Sequence, residues 1–212
     1  MMKEKPILAI ETSGEQCSVC VYWNSEKCVE TSSRIKLSHS KKIFSLVENI
    51  LSTAEISLND LSSIAVSIGP GSFTGLRIGL AAAKGMALGS SLPIIPVPTF
   101  EAIALEALNY TKIAENFFIA NKVNKEEIYF AGFLNNGNIY KFVRELGIVS
   151  RFELESNFQN EVIFGNAGNG LLCFPSAKSI ALWARQFSSS EPTNIDLLEP
   201  LYIKDFLVKG SN

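Results

Sequence analysis

One order of elements can be read twice along this chain, and that repetition limits the folds open to it. Residues 6–11 (Pro-Ile-Leu-Ala-Ile-Glu) read as a buried strand, residues 16–23 as a second, and Lys27 to Ser33 as a third that returns after the turn Asn24-Ser25-Glu26. Ser38 suits the N-cap of a helix over 39–55, whose apolar positions Ile43, Leu46, Val47, Ile50, Leu51 and Ala54 recur at helical spacing. A fourth strand, Ser62 to Ile68, runs into the glycine turn Gly69-Pro-Gly-Ser-Phe-Thr-Gly75 and a second helix. A strand at 94–97 and a helix over 99–109, capped by Thr99, close the half.

The second half repeats the opening. Phe117 to Asn121 and Glu127 to Leu134 read as strands, Asn136-Gly137 as a hairpin turn, and Ile139 to Glu145 as the returning strand. Glu161 to Phe164 runs into a second glycine turn, Gly165-Asn-Ala-Gly-Asn-Gly170, with a helix near 177–188. The later strand starts 57 residues after the first in one half (7 to 64) and 45 in the other (117 to 162), so the second crossover is shorter by about one helix. The expected architecture is α/β, with two similar lobes divided as 1–104 and 105–212, the second reduced.

Composition allows a large core. Of 212 residues, 47% are hydrophobic and 19% charged, which excludes a disordered chain, a collagen or a disulfide-stapled miniprotein. Net charge is −2, with the first 104 residues neutral. A protein that grips nucleic acid alone carries a basic stripe, so a nucleic-acid role has to lean on a partner. No secretion signal or membrane span is expected. The first apolar run, Pro6 to Ile10, is too short, and Gly85 to Phe100 is broken by Pro93, Pro96 and Pro98. The chain therefore reads as cytoplasmic. Cys17 and Cys20 spell C-x-x-C, but three residues apart on a strand face opposite sides, whereas a redox pair opens a helix. Both are expected as buried free thiols.

The segment Gly69-Pro-Gly-Ser-Phe-Thr-Gly-Leu-Arg-Ile-Gly79 carries the most chemistry. A glycine turn between strand and helix presents free N–H groups at the positive end of a helix dipole, a candidate anion site. It lacks the lysine of a G-x-x-x-x-G-K-[ST] phosphate loop. Pro70 stands where a G-x-S-x-G elbow needs glycine, and His39, the only histidine, would have to serve any serine hydrolase. In the helix that follows, Gly75, Gly79, Ala83 and Ala87 recur every four residues, with Gly85 and Gly89 beside them. Each interior glycine costs about 1 kcal/mol against alanine. A second backbone is therefore expected close by, either the helix over 39–55, or a helix of another subunit, or both on opposite faces.

Leu8-Ala-Ile-Glu-Thr-Ser13 with Cys17-Ser-Val, Leu37-Ser-His-Ser40 ahead of a helix, Gly69 to Gly79, and Glu199-Pro-Leu-Tyr-Ile-Lys204 together resemble the TsaB (YeaZ) family. The likeness extends over nearly the whole chain and is strongest before residue 104. It implies the actin/Hsp70/sugar-kinase fold. It also implies a part in making threonylcarbamoyladenosine beside the anticodon of tRNAs that read codons starting with A. Family members act there as a non-catalytic scaffold or activator of a metal-bearing TsaD-type transferase, joined by a TsaE-type ATPase, with tRNA met only within the complex. The family's Asp-Ala-Arg near the start of the second lobe is replaced by Ala120-Asn-Lys-Val-Asn-Lys125, so contacts through that turn do not carry over.

Three features of the residues agree with a role without catalysis. Metal-bearing relatives place two histidines four apart on the first-lobe helix, and here Ile43 follows His39. ATP-hydrolysing relatives hold Mg²⁺ and phosphate with an acidic turn in each lobe. This chain has Glu11-Thr-Ser13 and Asn121-Lys-Val123, one acid of the two. The shorter second crossover also leaves less wall for a nucleotide. No catalytic, cofactor-binding or metal residue is assigned. The alternatives are an ATP-dependent phosphotransferase using Glu11 and the turns at 69–75 and 165–170, or a metal-free peptidase-like relative. The resemblance points to the two first-lobe helices as the docking surface, through Ile43, Leu46, Val47 and Ile50 on one and Phe73, Arg77, Leu80, Ala81 and Lys84 on the other. The same surface would serve a first-lobe homodimer when the partner is absent.

Overall fold

The computed structural model describes residues 5–34, 39–167, 174–188 and 193–203. Its first sheet holds β1 (Ile7–Glu11), β2 (Cys17–Tyr22), β3 (Cys28–Ser33), β4 (Ser63–Gly69) and β5 (Ile94–Pro98) in the order β3-β2-β1-β4-β5. The first three strands form an antiparallel meander, and β4 and β5 run parallel to β1. The helices of this half are α1 (His39–Thr53), α2 (Phe73–Ser90) and α3 (Thr99–Ala107). The second sheet holds β6 (Asn116–Lys122), β7 (Glu127–Asn135), β8 (Tyr140–Ser150) and β9 (Ile163–Phe164) in the order β8-β7-β6-β9, with helices α4 (Arg151–Asn157) and α5 (Ala177–Phe187). Among the described residues the second order repeats the first without its fifth strand. Two similar α/β lobes, the second reduced, are what the duplicated pattern predicts.

Strand β1 reads as an unbroken apolar run because both of its faces are covered. Leu8 and Ile10 point into a core with Ile43, Val47 and Ile50 of α1 and Leu80, Ala83 and Ala87 of α2. Ile7 and Ala9 point the other way, onto Ala177, Ile180, Ala181 and Ala184 of α5. Cys17 and Cys20 obey the same alternation, one in each core, both buried and free. Burial pushes the Cys17 thiol up to about 11 and raises Cys20 as well. In the second sheet, Phe117, Ile119, Ala131 and Phe133 face α3 through Phe100, Ile103, Ala104 and Ala107. The opposite face packs Phe118, Ala120, Ile128 and Phe130 on Leu154 of α4 and Phe158. Helix α3 thus bridges the two sheets.

Four expectations change. The boundary at 104/105 falls inside α3, and α5, encoded in the second half, packs on the first sheet. Residues 193–203 return there too, with Leu198 in the first core and the Leu201 N–H donating to Ile68 O at 2.7 Å. The second crossover keeps a helix, though α4 has 7 residues against 15 in α1. Strand β9 is two residues long rather than four. Thr99 is the first helical residue rather than the cap, and its Oγ1 accepts from the Gly69 N–H at 3.2 Å. Ser38 and the His39 side chain lie outside the described residues. No helix among the described residues is long and apolar enough to cross a membrane.

Candidate partner-docking site

The glycine turn after β4 is filled from within the chain. Thr12 Oγ1 donates to Gly75 O at 2.8 Å, and the Ser72 N–H donates to Ser13 O at 2.7 Å. A Cβ at Gly71 would lie 2.5 Å from Ser13 O, one at Gly75 2.0 Å from Thr12 O, and one at Gly79 2.2 Å from Thr12 Oγ1. The backbone that Gly71 and Gly75 admit is therefore the end of β1 and the residues after it, and the Thr12 side chain fills the space at Gly79. Gly85 and Gly89 differ: nothing stands within 4 Å of a Cβ at either, on the open side of α2.

Glu11 sits beneath this turn, fully buried. Its Oε1 accepts from the Ser13 N–H, and its Oε2 and the neighbouring Ser67 hydroxyl are sealed from solvent. Burial raises the carboxyl above the ordinary range, opposed chiefly by hydrogen bonding from Ser13. The N-terminus of α5 is occupied as well. The Ala177 N–H donates to Ser18 Oγ at 2.9 Å, the Lys178 N–H to Glu30 Oε1 at 2.9 Å, and the Ser179 N–H to the N-cap Ser176 Oγ at 3.1 Å. The described part of the second glycine turn is clamped to β6. Asn166 Oδ1 accepts from the Lys122 N–H and Asn121 Oδ1 from the Asn166 N–H, while Gly165 takes φ +112° where a Cβ would meet Ala120 O at 2.3 Å. Residues 168–170 lie outside the described residues. The altered turn at 120–125 is closed locally, with Asn124 Oδ1 accepting from the N–H groups of Glu126 and Glu127.

The predicted interface residues divide in two. Ile43, Val47, Ile50 and Leu80 are at most 5% exposed and belong to this chain's own core, so they offer a partner nothing. The helical stripe they form faces the sheet. Leu46 is partly buried against the same core. Phe73 and Lys84 are half-buried, and Arg77 and Ala81 are exposed. The outward phase also includes two residues the spacing did not select, Phe44 at 57% and Leu88 at 68% exposure. Their signal was present in the sequence, as large apolar residues lying off the buried stripe. A cleft of about 580 Å³ opens elsewhere, lined by Lys5, Trp23, Asn24, Lys27, Glu55 and Asp60 among others, and none of the predicted residues lines it. Among the described residues no group of three or more His, Cys, Asp or Glu side chains could hold a metal ion.

Residues 33–120, from the end of β3 into β6, match the family model of TsaD, tRNA N6-adenosine threonylcarbamoyltransferase. The solved YeaZ from Pseudomonas aeruginosa superposes with a TM-score of 0.77 at 20% identity, covering 93% of this chain and 99% of that one. The tRNA threonylcarbamoyladenosine biosynthesis protein TsaB of Haemophilus influenzae is 35% identical over 130 residues, 61% of this chain and 54% of the relative. Its Escherichia coli counterpart is 37% identical over 132 residues, 62% and 56%. The chain is similar to TsaB (YeaZ) proteins over its first part and shares their fold. It spans about half the length of the curated relatives it matches.

At the start of α2 the Arg77 side chain sits in an aromatic clamp. The Arg77 guanidinium lies 3.8 Å over the Phe73 ring, and its Nε–H donates to Tyr202 Oη at 3.0 Å. The Phe73 and Tyr202 rings are 5.2 Å apart. Sequence spacing had no means of finding Tyr202, which lies 125 residues from Arg77.

Proposed function

We propose that this chain is a non-catalytic subunit that docks a TsaD-type transferase and supports transfer of a threonylcarbamoyl group to tRNA. The observation that carries the reading is how the chain treats its two anion-ready helix ends. Ser13 and Thr12 fill the turn at α2, Ser18 and Glu30 occupy the first turn of α5, and Glu11 is buried beneath them. A phosphate-binding loop needs open N–H groups and a solvated acid for Mg²⁺. Here the N–H groups of Ser72, Gly75 and the first turn of α5 hold the fold together instead, and the acid is buried. The outward face of α2, with Arg77, Ala81, Gly85 and Leu88, is left for a partner, and the likeness of residues 33–120 to the TsaD model supports a partner of related fold. A TsaE-type ATPase and a cytoplasmic setting complete the proposal.

A reconstituted reaction tests it: tRNA, threonylcarbamoyl-adenylate, a TsaD-type transferase and a TsaE-type ATPase, with and without this chain. Modification that depends on the chain, and that Leu88→Arg abolishes while the fold survives, is the expected result. Modification at equal rates without the chain would end the proposal. ATP turnover by the chain alone would then be measured, with Glu11→Ala as control.

A further inference from the structure

We infer that the cleft beside the start of β1 is a binding site for a small zwitterion with a flat apolar body, the chemistry of a short aromatic peptide. The inference is independent of the docking proposal. The cleft is built around the residues that enter β1, whereas the glycine turn packs on those that leave it. Its volume, about 580 Å³, lies within the range of small-molecule sites. One wall comes from the sheet, through Lys5 ahead of β1 and Trp23 and Lys27 at the β2–β3 turn. The other comes from Glu55 and Ile56 just past α1, and from Asp60 of the short 3₁₀ turn Leu58–Asp60.

Both walls are fixed by the chain's own hydrogen bonds. The Trp23 N–H donates to Lys27 O at 3.1 Å, and Asn24 Oδ1 accepts from the Lys27 N–H at 2.9 Å, which closes the hairpin turn. From α5, Arg185 Nη2 donates to Lys5 O at 3.1 Å and to Trp23 O at 3.4 Å. The helix wall is held by the Ile56 N–H on Leu51 O at 3.1 Å. The Asp60 carboxylate accepts from the Ser57 N–H and hydroxyl, each at 2.8 Å. Those bonds, with Lys5 nearby, keep the Asp60 carboxyl below its ordinary range, so it is ionised at neutral pH. Lys5 Nζ reaches across to Asn59 O at 3.1 Å and closes one end of the cleft.

The charges select the occupant. Both cations stand on the sheet wall and both carboxylates on the helix wall. The ion pairs among the described residues join Arg144 to Glu153 and Arg151 to Glu155, and neither Lys27 nor Glu55 takes part. Lys27 Nζ instead lies 4.1 Å from the centre of the Trp23 ring, which sets an ammonium beside an aromatic surface. Glu55 follows the last turn of α1, at the negative end of that helix dipole. A ligand carboxylate suits Lys27, a ligand ammonium suits Glu55, and a ring between them fills the space against Trp23 and Ile56. A polyanion such as a tRNA strand meets Glu55 and Asp60 on the opposite wall and is repelled. A purely apolar molecule would strip water from these charges and return nothing.

The test is titration calorimetry of the full chain with the dipeptide phenylalanyl-glycine, beside its N-acetylated form, its C-terminal amide and adenosine monophosphate. Saturable binding of the dipeptide with a Kd of about 1 mM or tighter is expected, and each blocked form should bind about tenfold more weakly. Lys27→Ala should weaken the dipeptide about tenfold and leave the amide unchanged. Glu55→Gln should weaken the dipeptide likewise and leave the acetylated form unchanged, because each variant removes the contact that the blocked end has already lost. Lys27 and Glu55 are exposed, so both variants should fold, and thermal unfolding checks this. Trp23→Phe, which keeps an apolar ring on the core, should weaken all three forms. No saturable binding of the dipeptide in the millimolar range overturns the inference. Binding that neither Lys27→Ala nor Trp23→Phe reduces places the ligand elsewhere and overturns it too. An acetylated dipeptide that binds as well as the free one, or adenosine monophosphate that binds more tightly, overturns the ligand class. None of these outcomes bears on docking to the transferase, which the reconstituted reaction tests separately.

Discussion

At the scale of single residues, Glu11 links pH to stability. Its carboxyl is raised in the fold, mainly by burial, so the native chain keeps a proton that the unfolded chain releases near its ordinary value of 4.5. Where the native state binds more protons, stability falls as pH rises, here from about 4.5 up to the folded value. Glu11→Gln keeps the shape and the oxygen facing the Ser13 N–H. It is expected to melt higher than wild type near pH ~8, with the gap closing as pH falls toward the unfolded value, as thermal scans across pH would record. The glycines of α2 give a sharper contrast. Gly75→Ala would drive a methyl group into the Thr12 carbonyl and should cost about 3 kcal/mol in denaturant unfolding. Gly85→Ala meets open space and should add about 0.5–1 kcal/mol. The sequence shows one row of small residues at these positions. Which of them face a backbone became legible only with β1 in place.

At the scale of elements, the phase of α1 decides which substitutions unfold the chain and which disable it. Ile50→Ala removes a fully buried side chain and should destabilise by about 2–5 kcal/mol. Phe44→Ser, one turn and a half earlier on the exposed side, should change stability by less than about 0.5 kcal/mol. The periodicity of Ile43, Val47 and Ile50 located the helix but could not say whether its stripe met a sheet or a partner, since both demand the same spacing. Strands were more legible. An unbroken apolar run such as 7–10 signals cover on both faces, and the C-x-x-C alternation of Cys17 and Cys20 followed from the pleat alone. The corresponding measurement is alkylation. Native protein with iodoacetamide near pH ~8 should label the half-buried Cys28 well before Cys17 or Cys20, whose thiols are both buried and raised. Mass spectrometry of the digested protein reads the order.

For the whole molecule, the sheet order was legible because the repeat and the hairpin signals are local. The interlock of the halves was not, because nothing in residues 177–187 says which sheet their apolar face will meet. That face covers Ile7, Ala9 and Cys20, so residues 1–104 made alone would expose one side of the first sheet. The fragment is expected to be insoluble or molten, and coexpression with 105–212 should recover a folded, cooperative complex by circular dichroism and size exclusion.

The late return of α5 also bears on how a cell produces this protein. A ribosome delivers the chain from its N-terminus, and the first lobe's strands emerge long before residue 177 leaves the exit tunnel. Through that interval one greasy side of the nascent sheet has no lid, and it stays sticky until residues 177–187 have emerged. Synthesis proceeds at about 5–20 residues per second, so the vulnerable period lasts several seconds per molecule. A holdase acting on the emerging polypeptide, or a translational pause placed after the codons for α5 rather than before them, would govern how much of it escapes aggregation.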